Sequence, residues 1–227
     1  MKYGIILVVI GFFVLAQARG LFFTPPDQLM GEVQRLMYIH VPAAWNAFIA
    51  FFITFVGSIG YLWRKTPVWD RLAASSAEVG VVLTAMTVCL GAIWGRPTWG
   101  VWWTWDARLT TTAILLFLYL GFLAIRAFID DRRTRARVSA PIGILIFLNV
   151  PIVYFSVKWW RTLHQVQSSP STMDLGMVTS LRLNALALLA VLVTFLYWRM
   201  RLERRRQERE EQLAMPPAIA DSTGGGR

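Results

Sequence analysis

Six apolar segments almost free of charge constrain this chain more than any other feature. They run from Tyr3 to about Ala18, Val41 to Trp63, Val79 to Ile93, Thr110 to Phe128, Pro141 to Val157 and Leu181 to Trp198. A bilayer core of about 30 Å is crossed by roughly 20 apolar residues in helical conformation. Only 16% of the 227 residues are charged and 56% are hydrophobic, whereas a soluble domain carries about 25% charged residues. The pattern excludes a soluble globular enzyme and a disordered chain. The single cysteine, Cys89, excludes an intrachain disulfide framework. The expected fold is an all-α polytopic membrane protein with six transmembrane helices.

The net charge of +10 raises the question of nucleic acid, and the placement of the charges answers it. With the N-terminus inside, 16 of the 23 Lys and Arg fall on the inner side and 7 on the outer. That bias is the positive-inside pattern. It places both termini in the cytoplasm and gives the basic residues a topogenic role, with no nucleic-acid partner. Lys2, the first apolar run and Ala16-Gln17-Ala18 also resemble a cleavable signal peptide. The apolar character resumes at Leu21-Phe22-Phe23, however, so retention as a first span is the expectation.

Two parts are expected. Residues 1–200 form the six-helix membrane domain. Residues 201–227 form a cytoplasmic, basic and partly disordered tail. Arg201 to Gln212 should continue the last helix, Met215-Pro216-Pro217 should stop it, and Asp221 to Arg227 read as disordered. No nucleotide-binding motif is present; Gly224-Gly225-Gly226 lacks the Lys-Ser/Thr of a phosphate loop.

The outer loops are expected at about 24–40, 94–109 and 158–180. The middle one is exceptional. Five of the eleven tryptophans, Trp94, Trp99, Trp102, Trp103 and Trp105, fall within twelve residues. An interfacial aromatic belt needs one or two per helix end. Gly95, Pro97 and Gly100 add backbone-shaping residues that a belt does not require. A flat aromatic platform for a large planar apolar ligand is the better reading. Arg96 and Arg108 suit ligand carboxylates, and Asp106 suits an acceptor that orients a neighbouring Trp, Arg or His.

The only two histidines, His40 and His164, also fall on the outer side. His40 sits at the N-terminus of the second span, where the helix dipole disfavours a charged imidazole. His164 lies just past the fifth span. Two imidazoles and an aromatic wall point to haem, which is planar, apolar and bound axially by imidazole. Zinc would want three or four clustered ligands, and the outer loops offer few carboxylates beyond Asp27, Glu32, Asp106 and Asp174. No Cys-x-x-Cys-His is present for covalent attachment. Met30, Met37, Met173 and Met177 are expected to pack, and Cys89 to be buried and inert.

These residues carry a resemblance. The run from Trp94 to Thr110 is similar to the tryptophan-rich "WWD" signature of haem-handling membrane proteins. Its continuation Asp106-Ala107-Arg108-Leu109-Thr110 resembles the haem exporter protein C (CcmC) family of bacterial cytochrome c maturation. Larger relatives tend to continue with Asp-Pro. Tyr38 to Trp45 and Trp159 to Gln165 are similar to the family's two histidine segments, and the match spans roughly residues 25–198.

The resemblance implies six transmembrane helices, with the WWD loop on the outer face between the third and fourth. It implies His40 and His164 as axial ligands of a transient, non-covalent b-type haem. It implies a haem-binding role for Trp94, Gly95, Trp99, Gly100, Trp102, Trp103, Trp105, Asp106 and Arg108. The implied place is the bacterial inner membrane. The implied activity is delivery of haem to a periplasmic haem chaperone (CcmE) for c-type cytochromes, without catalysis. A small membrane subunit (CcmD) and ABC-type subunits (CcmA and CcmB) are the other implied partners, with membrane lipid around them.

Two other readings compete. A membrane b-type haem oxidoreductase using quinol would hold haem deep between helices, and here no second histidine pair exists to relay electrons. A permease would need intramembrane charges. Glu78, Arg182 and Asn184 all lie near helix ends, and Asn149-Val150-Pro151 reads as an ordinary helix kink.

Overall fold

The computed structural model describes residues 2–164 and 173–214. Among these residues it is predominantly helical, without a strand. The helices are α1 (Lys2–Ala18), α2 (Met37–Arg64), α3 (Pro67–Trp99), α4 (Ala107–Phe128), α5 (Arg132–Phe147), α6 (Asn149–Trp159) and α7 (Leu175–Ala214). A π-turn, Arg19–Phe23, prolongs α1, and a 3-10 turn, Glu32–Leu36, leads into α2. With α5 and α6 taken as one broken span, six helical segments are long and apolar enough to cross a membrane. The chain is a multi-pass membrane protein.

The helices extend beyond the apolar windows because helix formation does not require apolarity. Asp131 caps α5, its Oδ2 accepting from the Thr134 amide at 2.7 Å. The helix therefore starts in a basic, polar stretch nine residues before Pro141. Similarly, Pro67 occupies the first turn of α3, where its missing N–H costs nothing. At its other end α3 runs through Pro97 to Trp99, so Trp94 and Trp99 are helical, where a loop was expected. The stop is Gly100, left-handed at φ 78°, whose amide donates to the Arg96 carbonyl at 3.1 Å.

The kink expected near Asn149 appears as a one-residue interruption at Leu148, which keeps right-handed helical dihedrals. Pro151 has no N–H for the Phe147 carbonyl four residues back. Asn149 Nδ2 donates instead to the Thr111 carbonyl of α4, at 3.0 Å.

The core lies where α2, α3, α4, the broken span and α7 meet. Phe51 of α2 stacks on Tyr119 of α4, with ring centroids 3.6 Å apart. Leu83, Val153 and Leu192 belong to the same buried cluster. The outer helix α1 packs mainly on α7, where Asn184 Nδ2 donates to the Ala16 carbonyl at 2.9 Å.

Ion pairs hold the end of the bundle opposite the histidines. Arg126 of α4 grips both oxygens of Asp70 on α3, at 2.6 and 3.0 Å, and donates to Ser139 of α5 at 2.6 Å. Glu78 pairs with Arg199 of α7, so this carboxylate has a structural partner. Beyond Arg199, α7 remains one unbroken helix across the boundary placed at residue 200. Arg71 Nη1 donates to Gln207 Oε1 at 2.6 Å, docking the extension on α3. The Met215-Pro216-Pro217 stop and the tail after it lie outside the described residues.

Cys89 corrects an expectation: it is exposed, not buried. It shares a stripe of α3 with Val82 and Ile93, both also exposed. In a bilayer the solvent is itself apolar, so a small hydrophobe needs no place in the core.

Candidate functional site

The two histidines come together. His40 stands in the first turn of α2 and is only 8% exposed. His164 follows α6 after Trp160 turns to extended backbone. Both line one cavity at the same end of the bundle, walled by α2, α3, α4 and the segment after α6. The cavity holds about 1310 Å³ of unfilled space, counting its open mouth.

The tryptophans divide into two groups. Trp94, Trp99 and Trp103 line the cavity with the histidines. Trp94 meets the His40 ring edge-on, centroids 5.8 Å apart at 61°. Trp99 lies 5.1 Å from the His164 ring at 59°. Trp102 and Trp105 stand outside, 59% and 80% exposed, with Trp105 nearly perpendicular to Trp103. The flat platform expected from the sequence is instead a curved wall with an exposed aromatic rim. Trp94 and Trp99 sit on the last turns of α3, and Trp102, Trp103 and Trp105 follow it on non-helical backbone.

Glycines make the close approaches possible. A Cβ on Gly91 would lie 3.1 Å from His40 Cε1, so its absence leaves room for the imidazole. Gly95 is buried, and a Cβ there would lie 3.2 Å from the Val101 carbonyl and from the Trp99 ring.

Four ring nitrogens around the cavity are buried without a hydrogen-bond partner: His40 Nδ1, His164 Nδ1, Trp94 Nε1 and Trp103 Nε1. Each such group costs about 1–3 kcal/mol. Others lie in the packed bundle, Tyr119 Oη and Ser58 Oγ among them; these four are set apart by belonging to residues that share one cavity. Burial pushes the His164 pKa down to about 4. The Arg108 charge and His40 act in the same direction, and Asp106 acts against them. The imidazole is therefore neutral at physiological pH, the form that binds metal.

Arg108, in the first turn of α4, reaches the cavity. Its Nη1 donates to the carbonyls of Val153 at 3.2 Å and Tyr154 at 3.4 Å. Among the described residues these hydrogen bonds are to neutral carbonyls, with the Asp106 carboxylate near enough to attract the guanidinium. Arg96 is engaged differently: it donates to the Gly100 carbonyl and seals the end of α3.

Asp106 has both oxygens occupied. Oδ1 caps α4 by accepting from the Leu109 amide at 2.8 Å. Oδ2 accepts from Thr162 Oγ1 at 2.7 Å and from the Leu163 amide at 3.1 Å. Its hydrogen-bond partners are therefore backbone amides and Thr162, where a Trp, Arg or His was expected.

Sequence reading missed several lining residues. Thr84, Thr87 and Thr112 form the deeper wall and Met37 the upper one. Each threonine hydroxyl donates to its own helix four residues back, which makes it compatible with an apolar setting. Gly91, three residues before Trp94 on the same helix, was the one legible signal of this group.

The fold and the cavity define a class: a polytopic membrane protein whose two histidines and three of whose tryptophans line one cavity at one end of the bundle. The chain belongs to the heme exporter protein C (CcmC) family, whose model matches residues 2–215. It is 35% identical over 227 residues to heme exporter protein C of Bradyrhizobium diazoefficiens, covering 98% of this chain and 84% of the relative. It is 37% identical over 194 residues to the protein of that name in Escherichia coli strain K12, covering 82% and 79%. A putative cytochrome c biosynthesis ccmC-like mitochondrial protein of Marchantia polymorpha is 38% identical over 169 residues, covering 74% and 72%.

Proposed function

We propose that this protein binds haem non-covalently at the outer face of the bacterial inner membrane and surrenders it to a periplasmic haem chaperone for c-type cytochrome maturation. One observation carries the reading. The chain's only two histidines, far apart in sequence, line a single tryptophan-walled cavity with their Nδ1 atoms unpartnered.

In this reading His40 and His164 are the axial ligands of the iron. Trp94, Trp99 and Trp103 pack on the macrocycle, with Gly95 and Gly100 shaping their segment. Arg108 pairs with a propionate, where its fork suits a carboxylate. The exposed rings of Trp102 and Trp105 stand at the mouth, where a chaperone would approach. Asp106 holds the His164 segment in place. The positive-inside bias puts this end outside and the α7 extension in the cytoplasm. A small single-span subunit and ABC-type subunits complete the assembly, consistent with a chain that has no nucleotide motif.

The experiment is co-purification from a haem-producing host. The protein should carry haem, and adding the soluble chaperone domain should move that haem to the chaperone. Haem that stays with this protein at saturating chaperone would contradict the delivery role.

A further inference from the structure

We infer that Thr162 is a positioning residue for His164, acting through Asp106. The inference rests on the haem reading above and names a residue that the WWD signature and the histidine pair do not contain.

His164 has no helix to hold it. It follows α6 on irregular backbone, where an axial ligand would be poorly fixed. Two hydrogen bonds supply the missing constraint. Thr162 Oγ1 donates to Asp106 Oδ2 at 2.7 Å and, with its own lone pair, accepts from the His164 amide at 3.1 Å. The neighbouring Leu163 amide donates to the same carboxylate oxygen at 3.1 Å. Asp106 is in turn fixed to the start of α4 through the Leu109 amide. The hydroxyl therefore links the α4 N-terminus to the backbone that carries the imidazole. The link is partly buried, and an acceptor that is charged strengthens it. Valine keeps the shape and loses both bonds; serine keeps both.

Because the chain has only two histidines, histidine-labelled NMR in detergent reads each imidazole separately in the haem-free protein, with His40→Ala giving the assignment. Thr162→Val should displace or broaden the His164 resonances and leave those of His40 in place, and Thr162→Ser should restore them. In the haem-loaded protein, Thr162→Val should move the absorption spectrum toward that of His164→Ala and speed haem loss about 10-fold or more, the scale of losing a hydrogen bond to a charged group. Unmoved His164 resonances in Thr162→Val overturn the inference, as does a loss of both histidine signals that Thr162→Ser fails to reverse. A His164→Ala spectrum identical to wild type counts against the haem reading instead, and leaves the haem-free result to stand on its own.

Discussion

Arg108 of α4 donates to the Val153 carbonyl of α6 at 3.2 Å, so a half-buried cation is held against two neutral acceptors in the cavity that the two histidines line. Such a charge gains most when an anion arrives. Arg108→Gln should weaken haem binding roughly 10- to 100-fold, as expected for a charge-assisted hydrogen bond worth about 1.5–3 kcal/mol. Arg108→Lys should recover only part of this, because an ammonium lacks the guanidinium fork. Titration with haem and with haem whose propionates are esterified checks the assignment. The wild type should lose affinity on esterification, and Arg108→Gln should show no further loss.

Gly91 predicts a steric effect on His40. With a Cβ 3.1 Å from Cε1, Gly91→Ala should displace the ring by a few tenths of an ångström and shift the haem spectrum modestly. Gly91→Val should abolish the His40-dependent part of that spectrum. Absorption of the two purified variants decides it, with His40→Ala as the reference.

Acid should destabilise the haem-free protein through His164. Its folded pKa of about 4 lies below the ordinary value near 6.5, so the unfolded chain binds the proton first. Stability is full above about pH 6.5, falls as pH drops toward 4, and levels off below that. Thermal unfolding in detergent between pH 7.5 and 4.5 reads this directly. His164→Gln should lose less stability than wild type over the same interval.

At the opposite end, Arg126 and Asp70 are only 11% and 12% exposed. Removing one partner strands a buried charge, so Asp70→Asn or Arg126→Ala should cost about 3–5 kcal/mol. The haem spectrum of whatever folds should be unchanged, since neither residue lines the cavity. A lowered unfolding temperature with a wild-type spectrum is the expected pair of results.

Much of this was legible in the sequence. Apolar length locates six spans, and the two histidines with Trp94, Trp99, Trp103 and Arg108 stand out by residue type and spacing. Hydropathy could not place helix ends. The polar start of α3, with Ser75, Ser76 and Glu78, is as helical as its apolar middle. At its other end the same helix runs past the apolar window to Trp99, which puts Trp94 and Trp99 on a helix. Cys89 was misplaced because burial in a membrane protein follows packing, and hydrophobicity alone does not predict it. Thr162 carried no pattern at all; only the folded distance to Asp106 reveals it.

The most direct test is the absorption spectrum of protein purified from a haem-producing host. Wild type is compared with His40→Ala, His164→Ala and the double variant. The account predicts haem in the wild type, a weakened or shifted spectrum in each single variant, and none in the double. Haem that is unchanged in all three variants would contradict it, because a site without either imidazole would then be sufficient.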